Sequence, residues 1–168
     1  MKKCVLGIFA LLMLTMSFSH EPKFTVFMIG DSTMANKDTT GGKQERGWGM
    51  VLQQYFDDGV VVDNHAVNGR SSKSFINEGR WEKVLAKIKP GDYVFIQFGH
   101  NDIGGIKDGK ERGVIASAKD SCAVYRMESS GIYQVIYSYG WYLKKMIRDT
   151  QEKGAIPVLL SLTPRNEW

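Results

Sequence analysis

The hydrophobic positions of this chain fall into two kinds of run. Four short stretches are dominated by apolar and β-branched residues and stop at turn-forming residues, which is typical of buried strands. They are Phe24–Ile29, Val60–Ala66, Tyr93–Phe98 and Ile156–Leu162. Three intervening segments carry apolar residues at helical spacing, and they are Gly47–Phe56, Trp81–Ile88 and Tyr133–Lys153.

Apolar strands that alternate with helices indicate a parallel sheet covered on both faces. The pattern therefore predicts an α/β protein, a three-layer α/β/α sandwich formed by one domain over residues 21–168. Only Ile103–Ser130 is weakly patterned, being rich in Gly, Lys and Asp. We interpret it as a long functional or mobile loop.

The first twenty residues have the layout of a secretory signal peptide. Lys2 and Lys3 precede the apolar run Val5–Met16, and small and polar residues follow it. The apolar run is short for a membrane span, although a retained signal anchor is the alternative. We expect a signal peptide over residues 1–20 and an exported protein, periplasmic or extracellular, with no stable membrane span after signal removal.

Charge and motif content narrow the classes of partner. The formal net charge is +4, and without the first twenty residues 20 basic residues face 18 acidic ones, a balance of +2. We therefore expect no nucleic-acid partner. The chain contains neither G-x-x-x-x-G-K-[ST] nor G-x-G-x-x-G, and its histidines and acids are not spaced as metal ligands, so we expect no cofactor and no metal. Cys122 is expected to be a small core residue.

Three polar segments follow predicted strands: GDSTMA at 30–35, NGRSSKSF at 68–75 and FGHND at 98–102. The carboxyl ends of parallel strands form one edge, where ligands bind in open α/β sheets. Ser32 is a candidate nucleophile, which needs a base and donors aimed at the oxyanion. Gly69 lets the backbone approach a ligand, and Asn101 can present its side-chain amide. Taken singly, each segment is equally typical of a simple turn. Asp102 is expected to fix its loop.

Together, these three segments resemble those of the SGNH (GDSL) hydrolase superfamily, and the sequence is most similar to rhamnogalacturonan acetylesterase-like proteins over Phe24–Trp168. The resemblance implies a flavodoxin-like sheet with a shallow cleft. It implies that Ser32 is the nucleophile and that an oxyanion hole is formed by the Ser32 and Gly69 backbone N–H groups and the Asn101 side chain. The substrate it implies is an acetylated, pectin-like polysaccharide or oligosaccharide.

One block of that family, a C-terminal Asp-x-x-His that supplies the general base, does not occur in this sequence. We therefore expect the hydrolase domain to be C-terminally incomplete and the esterase impaired. His65 and His100 are expected to be structural. A non-catalytic carbohydrate-binding or vestigial product, and a flavodoxin-like nucleotide or flavin binder, remain alternatives. Core packing is expected for Trp48 and Trp141, whereas Trp81 and Trp168 are open as sugar-stacking residues.

Overall fold

A computed structural model describes residues 23–163. The signal-peptide prediction, the start of the 21–168 domain and Trp168 lie outside these residues. In chain order the regular elements are β1 (Phe24–Gly30), β2 (Val60–Asn64), α1 (Ser72–Asn77), α2 (Arg80–Leu85), β3 (Tyr93–Gln97), β4 (Cys122–Arg126), β5 (Tyr133–Tyr137), α3 (Tyr139–Glu152) and β6 (Ile156–Leu159).

The centre of the fold is a parallel four-stranded sheet with strand order β2-β1-β3-β6. The four predicted strands are confirmed, although β2 ends at Asn64 and β6 ends at Leu159. Because successive side chains of a strand point to opposite faces, β1 contributes to two cores. Phe27 and Ile29 enter one, and Val26 and Met28 enter the other.

Helices cover one face of this sheet, since the first core includes Phe75 of α1, Trp81 of α2 and Met146 of α3. The opposite face is covered by the segment after β1, where Trp48 and Leu52 pack against the second core. The predicted helix at Gly47–Phe56 is instead two short 3-10 turns, Trp48–Met50 and Leu52–Tyr55. The predicted α/β fold with a parallel sheet is confirmed.

Two further interpretations of the sequence are wrong in part. The predicted helix Tyr133–Lys153 begins only at Tyr139, because Ser138 caps it by accepting a hydrogen bond from the Trp141 N–H at 3.3 Å. Its first five residues form β5, which pairs antiparallel with β4 inside the presumed long loop. Cys122 lies exposed in β4 and is not a core residue.

Two other features complete the description. Helix α1 lies between β2 and the predicted helix Trp81–Ile88, where the sequence pattern predicts no regular element, and it begins with a capping box between Ser71 and Ser74. Across residues 23–163, no helix is long and apolar enough to cross a membrane.

Candidate active site

The loops that carry Ser32, Gly69 and Asn101 leave the sheet at the same edge. Gly30, the last residue of β1, is in register with Gln97 of β3, and its carbonyl accepts a hydrogen bond from the Val67 N–H at 3.0 Å. A Cβ on Gly30 would lie 2.6 Å from the Gln97 carbonyl oxygen, so only glycine allows this approach. The chain therefore turns out of β1 between the loops after β2 and β3.

A tight turn presents Ser32. The buried Asp31 carboxylate accepts hydrogen bonds from the Thr33 N–H and hydroxyl, both at 2.9 Å, and the Asp31 carbonyl accepts one from the Ala35 N–H at 3.0 Å. Ser32 itself is half-buried, and within the described part of the chain its hydroxyl has no hydrogen-bond partner. The turn fixes the backbone on both sides of Ser32 and leaves its hydroxyl unbonded within residues 23–163.

Ser32 opens into a groove of about 530 Å³. The lining residues are Ser32, Thr33, Glu45, Arg46, Gly47, Trp48, Val51 and Thr163. The Trp48 indole N–H donates to the Gln97 side-chain oxygen at 2.7 Å. Trp48 is half-buried. One part of its side chain packs against the second core, as expected, and another forms a wall of the groove.

The loop after β2 is tied to the rim of this groove through Lys37. Its ammonium donates to Glu45 at 2.6 Å and to the Asn68 side-chain oxygen at 2.8 Å, and only 4% of the side chain is exposed. Asn68 immediately precedes Gly69. Lys37 therefore links the residue that precedes Gly69 to the rim of the groove.

Gly69 and Asn101 are brought together through Arg70 and Arg112. Gly69 has a φ of +73°, in the left-handed region that favours glycine. The Asn101 amide nitrogen donates to the Arg70 carbonyl at 3.1 Å. One nitrogen of Arg112 donates to both the Gly69 carbonyl, at 3.0 Å, and the Asn101 side-chain oxygen, at 2.8 Å. Sequence reasoning missed Arg112, because nothing in Ile103–Ser130 distinguishes it from other surface cations.

Asp102 fixes its loop, as expected. One of its carboxylate oxygens accepts hydrogen bonds from the Ser72 N–H, at 3.0 Å, and from the Ser72 hydroxyl. Burial raises the pKa of this carboxyl to about 6, with the charge of Asp31 adding to the effect and the Ser72 hydrogen bonds opposing it. This contact joins the start of α1 to the loop that carries Asn101.

The two histidines among the described residues are bound to other groups and do not line the groove, although His100 contacts Thr163, one of its lining residues. His65 contacts Asp63 at 2.9 Å and Lys87 at 3.3 Å on the helix-covered side of the sheet. His100 contacts the Thr163 carbonyl and lines a separate apolar cavity. Within residues 23–163, no histidine lines the groove that contains Ser32, and no three His, Cys, Asp or Glu side chains gather as metal ligands.

The structure joins Gly69 to Asn101 through Arg112 and places Ser32 in a separate groove at the carboxyl ends of the same strands. A serine hydroxyl and N–H donors on adjacent loops are the groups that acyl transfer uses. What it needs in addition is a base within hydrogen-bond reach of the hydroxyl.

Comparison with known proteins agrees with this chemistry. Residues 28–167 match the GDSL-like lipase/acylhydrolase family. The chain is 33% identical over 146 residues to rhamnogalacturonan acetylesterase of Emericella nidulans, covering 86% of this chain and 54% of the relative. It is 34% identical over 142 residues to the probable rhamnogalacturonan acetylesterase YesY of Bacillus subtilis, covering 83% and 54%.

Among solved structures, protein YxiM of Bacillus subtilis superposes with a TM-score of 0.60 at 27% identity, covering 83% of this chain and 32% of that one. The chain spans about half the length of the curated relatives it matches, at 54%. The resemblance drawn from the three polar segments is confirmed, and the chain belongs to the GDSL-like lipase/acylhydrolase family.

Proposed function

We propose that this chain is an exported serine esterase of the SGNH type that removes acetyl groups from a pectin-like polysaccharide, rhamnogalacturonan. The observation that supports the proposal is that Ser32, Gly69 and Asn101 each follow a strand at the carboxyl ends of one parallel sheet, with Gly69 and Asn101 joined through Arg112. The similarity to rhamnogalacturonan acetylesterases supports the substrate class. The aromatic wall that Trp48 gives the groove suits a sugar ring.

In the proposed reaction the Ser32 oxygen attacks the acetyl carbonyl carbon while a base takes the hydroxyl proton. The negative charge that develops on the carbonyl oxygen is accepted by the Ser32 and Gly69 N–H groups and the Asn101 amide. Collapse of the intermediate breaks the ester bond and releases the sugar hydroxyl, which receives the proton. Water then hydrolyses the acetyl-serine to acetate and free Ser32.

None of the residues 23–163 is assigned as the general base of this reaction. His65 and His100 are both held by other groups and lie outside the Ser32 groove. Our proposal therefore includes slow turnover by this chain, sustained by the oxyanion donors alone, as in serine hydrolases that lack members of their triad.

Acetate release from acetylated rhamnogalacturonan tests both parts. We expect a slow release that Ser32→Ala abolishes, and that Ser130→Ala, a change at an exposed serine in the β4–β5 turn, leaves intact. Added imidazole should increase the rate of the unaltered chain, because it can supply the base.

The opposite results are equally informative. Release that survives Ser32→Ala, or no release even with imidazole, would refute the esterase. Binding of the oligosaccharide without any cleavage would then favour the non-catalytic carbohydrate-binding alternative, which the absence of a histidine in the Ser32 groove, among residues 23–163, also favours. Fast release that imidazole does not change would contradict only the expectation of slow turnover.

A further inference from the structure

Arg112 occupies the position where the loops after β2 and β3 meet. Its Nη1 lies 3.0 Å from the Gly69 carbonyl oxygen and 2.8 Å from the Asn101 Oδ1. A Cβ added to Gly69 would lie 3.1 Å from the same nitrogen, so the guanidinium is packed closely against the loop. Arginine stays charged at every accessible pH and donates in a rigid plane, which makes it a fixed bridge between two acceptors.

The backbone around Arg112 is itself held against the site. The Val114 N–H donates to the Asp102 carbonyl at 3.0 Å, and the Gly113 N–H donates to the Gly105 carbonyl at 3.2 Å. Gly113 packs so tightly that a Cβ there would lie 2.0 Å from the Gly104 carbonyl oxygen. Arg112 therefore approaches the Asn101 loop from a segment that is anchored to that same loop.

The contacts of Arg112 decide which way the Asn101 amide faces. The amide nitrogen donates one hydrogen to the Arg70 carbonyl at 3.1 Å, while the amide oxygen accepts from Arg112. Reversing the amide would place its oxygen against a carbonyl and its nitrogen against a guanidinium, so both bonds would be lost. Only one orientation satisfies both partners, and it leaves the second amide hydrogen available to an acceptor.

From this geometry we propose that Arg112 is a positioning residue that orients the Asn101 amide and the Gly69 backbone as oxyanion donors. It acts through these two residues and does not itself contact the reacting atoms. Its catalytic consequence rests on the proposed function, whereas its effect on the Asn101 amide does not.

The other role open to Arg112 is direct binding of an anionic group of the substrate. Arg112 also lines a pocket of about 380 Å³, together with Gly69, Arg70, Ser74, Glu78 and Lys110. Lys110 lines this pocket and makes no hydrogen bond to Gly69 or Asn101 within the described residues, so Lys110→Gln is a matched control. A binding role predicts similar increases in KM for changes at Lys110 and Arg112. A positioning role predicts a change in kcat at Arg112 alone.

The deciding experiment is a ¹H–¹⁵N correlation spectrum of the full chain that follows the Asn101 side-chain amide, with its signals assigned by their loss in Asn101→Asp. In Arg112→Gln and Arg112→Lys we expect both signals to shift, and the proton bonded to the Arg70 carbonyl to exchange faster with solvent. In Lys110→Gln they should coincide with those of the unaltered chain. Circular dichroism shows whether each variant is folded. Arg112→Lys, which keeps the charge but is shorter and lacks the rigid guanidinium plane, serves if Arg112→Gln does not fold.

Unchanged Asn101 signals in a folded Arg112 variant, or equal changes in Lys110→Gln, would overturn the proposal. With a neutral acetyl ester as substrate, we further expect kcat to fall by about 10- to 100-fold in the Arg112 variants at nearly constant KM, because loss of a whole oxyanion donor typically costs about 100- to 1000-fold. An equal rise in KM for the Arg112 and Lys110 variants, with kcat unchanged, would also overturn it. A chain that hydrolyses no ester would refute the proposed function, and the amide spectrum would still decide the role of Arg112.

Discussion

Asp102→Asn is the change whose effect on stability follows most directly from the structure. The side chain is 3% exposed, and burial is the main reason that its pKa is raised from 3.8 to about 6. At about 1.4 kcal/mol for each pKa unit, holding this carboxylate charged in the folded protein costs about 3 kcal/mol relative to the unfolded chain.

The sign of the pH dependence follows from linkage. Below the unfolded pKa of 3.8, Asp102 is protonated in both states and contributes no penalty. Between 3.8 and about 6 the folded state holds a proton that the unfolded state has lost, so the free energy of unfolding falls as the pH rises. Above about 6 the full penalty is present. The amide of Asn cannot ionise, so the variant lacks this dependence.

The difference in unfolding free energy between the variant and the unaltered chain is the quantity to measure. We expect it to move by about 2.4 kcal/mol in favour of Asp102→Asn between about pH 4 and about pH 8, because about 0.5 kcal/mol of the penalty is already present at pH 4. Constant offsets cancel in this comparison, including the cost of burying the new amide hydrogens where the Asp102 Oδ2 has no partner among the described residues. Urea unfolding followed by tryptophan fluorescence is a suitable assay, because Trp81 is fully buried.

Asp120→Asn is the matched control, since Asp120 is exposed and pairs with Lys144 at the surface at 2.8 Å. Its profile should run parallel to that of the unaltered chain over the same range. If the Asp102→Asn profile is also parallel, the carboxyl titrates alike in the folded and unfolded states, and the reasoning from burial is wrong.

Three further changes test the packing. Gly47→Ala should lower the free energy of unfolding in urea by more than about 2 kcal/mol, because its Cβ would lie 2.0 Å from the Ala35 carbonyl oxygen. Its control, Gly79→Ala, has open space around it but a φ of +67°, and should cost about 1 kcal/mol. Equal losses of stability in the two variants would contradict the close approach at Gly47. Trp81→Phe should lower the free energy of unfolding by about 2–3 kcal/mol, because it loses buried volume and the hydrogen bond to Asp149 at 2.7 Å. Trp141→Phe should cost less, because Trp141 is half-exposed. A larger loss for Trp141→Phe than for Trp81→Phe would contradict the assignment of the core. The Gln53 side chain covers the exposed edge of β2, since it donates to the Val60 carbonyl at 3.0 Å and accepts from the Val62 N–H at 2.8 Å. Gln53→Ala should therefore lower the free energy of unfolding by about 1 kcal/mol and promote self-association, measured by size-exclusion chromatography. Gln54→Ala, the control at the neighbouring position, should have neither effect.

The strands of the parallel sheet could be predicted from sequence because burial on both faces leaves a direct trace. A strand such as β1 must be apolar at consecutive positions, and the residues that end it must turn. The same logic located Ser32, Gly69 and Asn101, since each follows a strand and the carboxyl ends of parallel strands share an edge. These local patterns also sufficed for the family resemblance, which the comparison with known proteins confirmed.

Prediction from local sequence patterns was wrong where the same pattern is compatible with both a helix and a strand. The apolar spacing that begins at Tyr139 predicts a helix over Tyr133–Lys153, yet Tyr133–Tyr137 pairs with Cys122–Arg126 across a turn. That pairing depends on a partner strand that is exposed and weakly patterned. The one local clue was Ser138, whose capping bond to Trp141 places the helix start after it.

The parallel sheet, the order of its strands along the chain and the three segments at its edge can thus be predicted from the sequence, because each leaves a pattern among residues that are close together in the chain. Tertiary structure alone decided how those segments are held. Arg112 reaches Gly69 and Asn101 across separations of 43 and 11 residues, and the Asp102 carboxylate meets Ser72 across 30. Such contacts leave no periodic trace, because a single side chain that bridges two loops is indistinguishable in sequence from one that faces solvent.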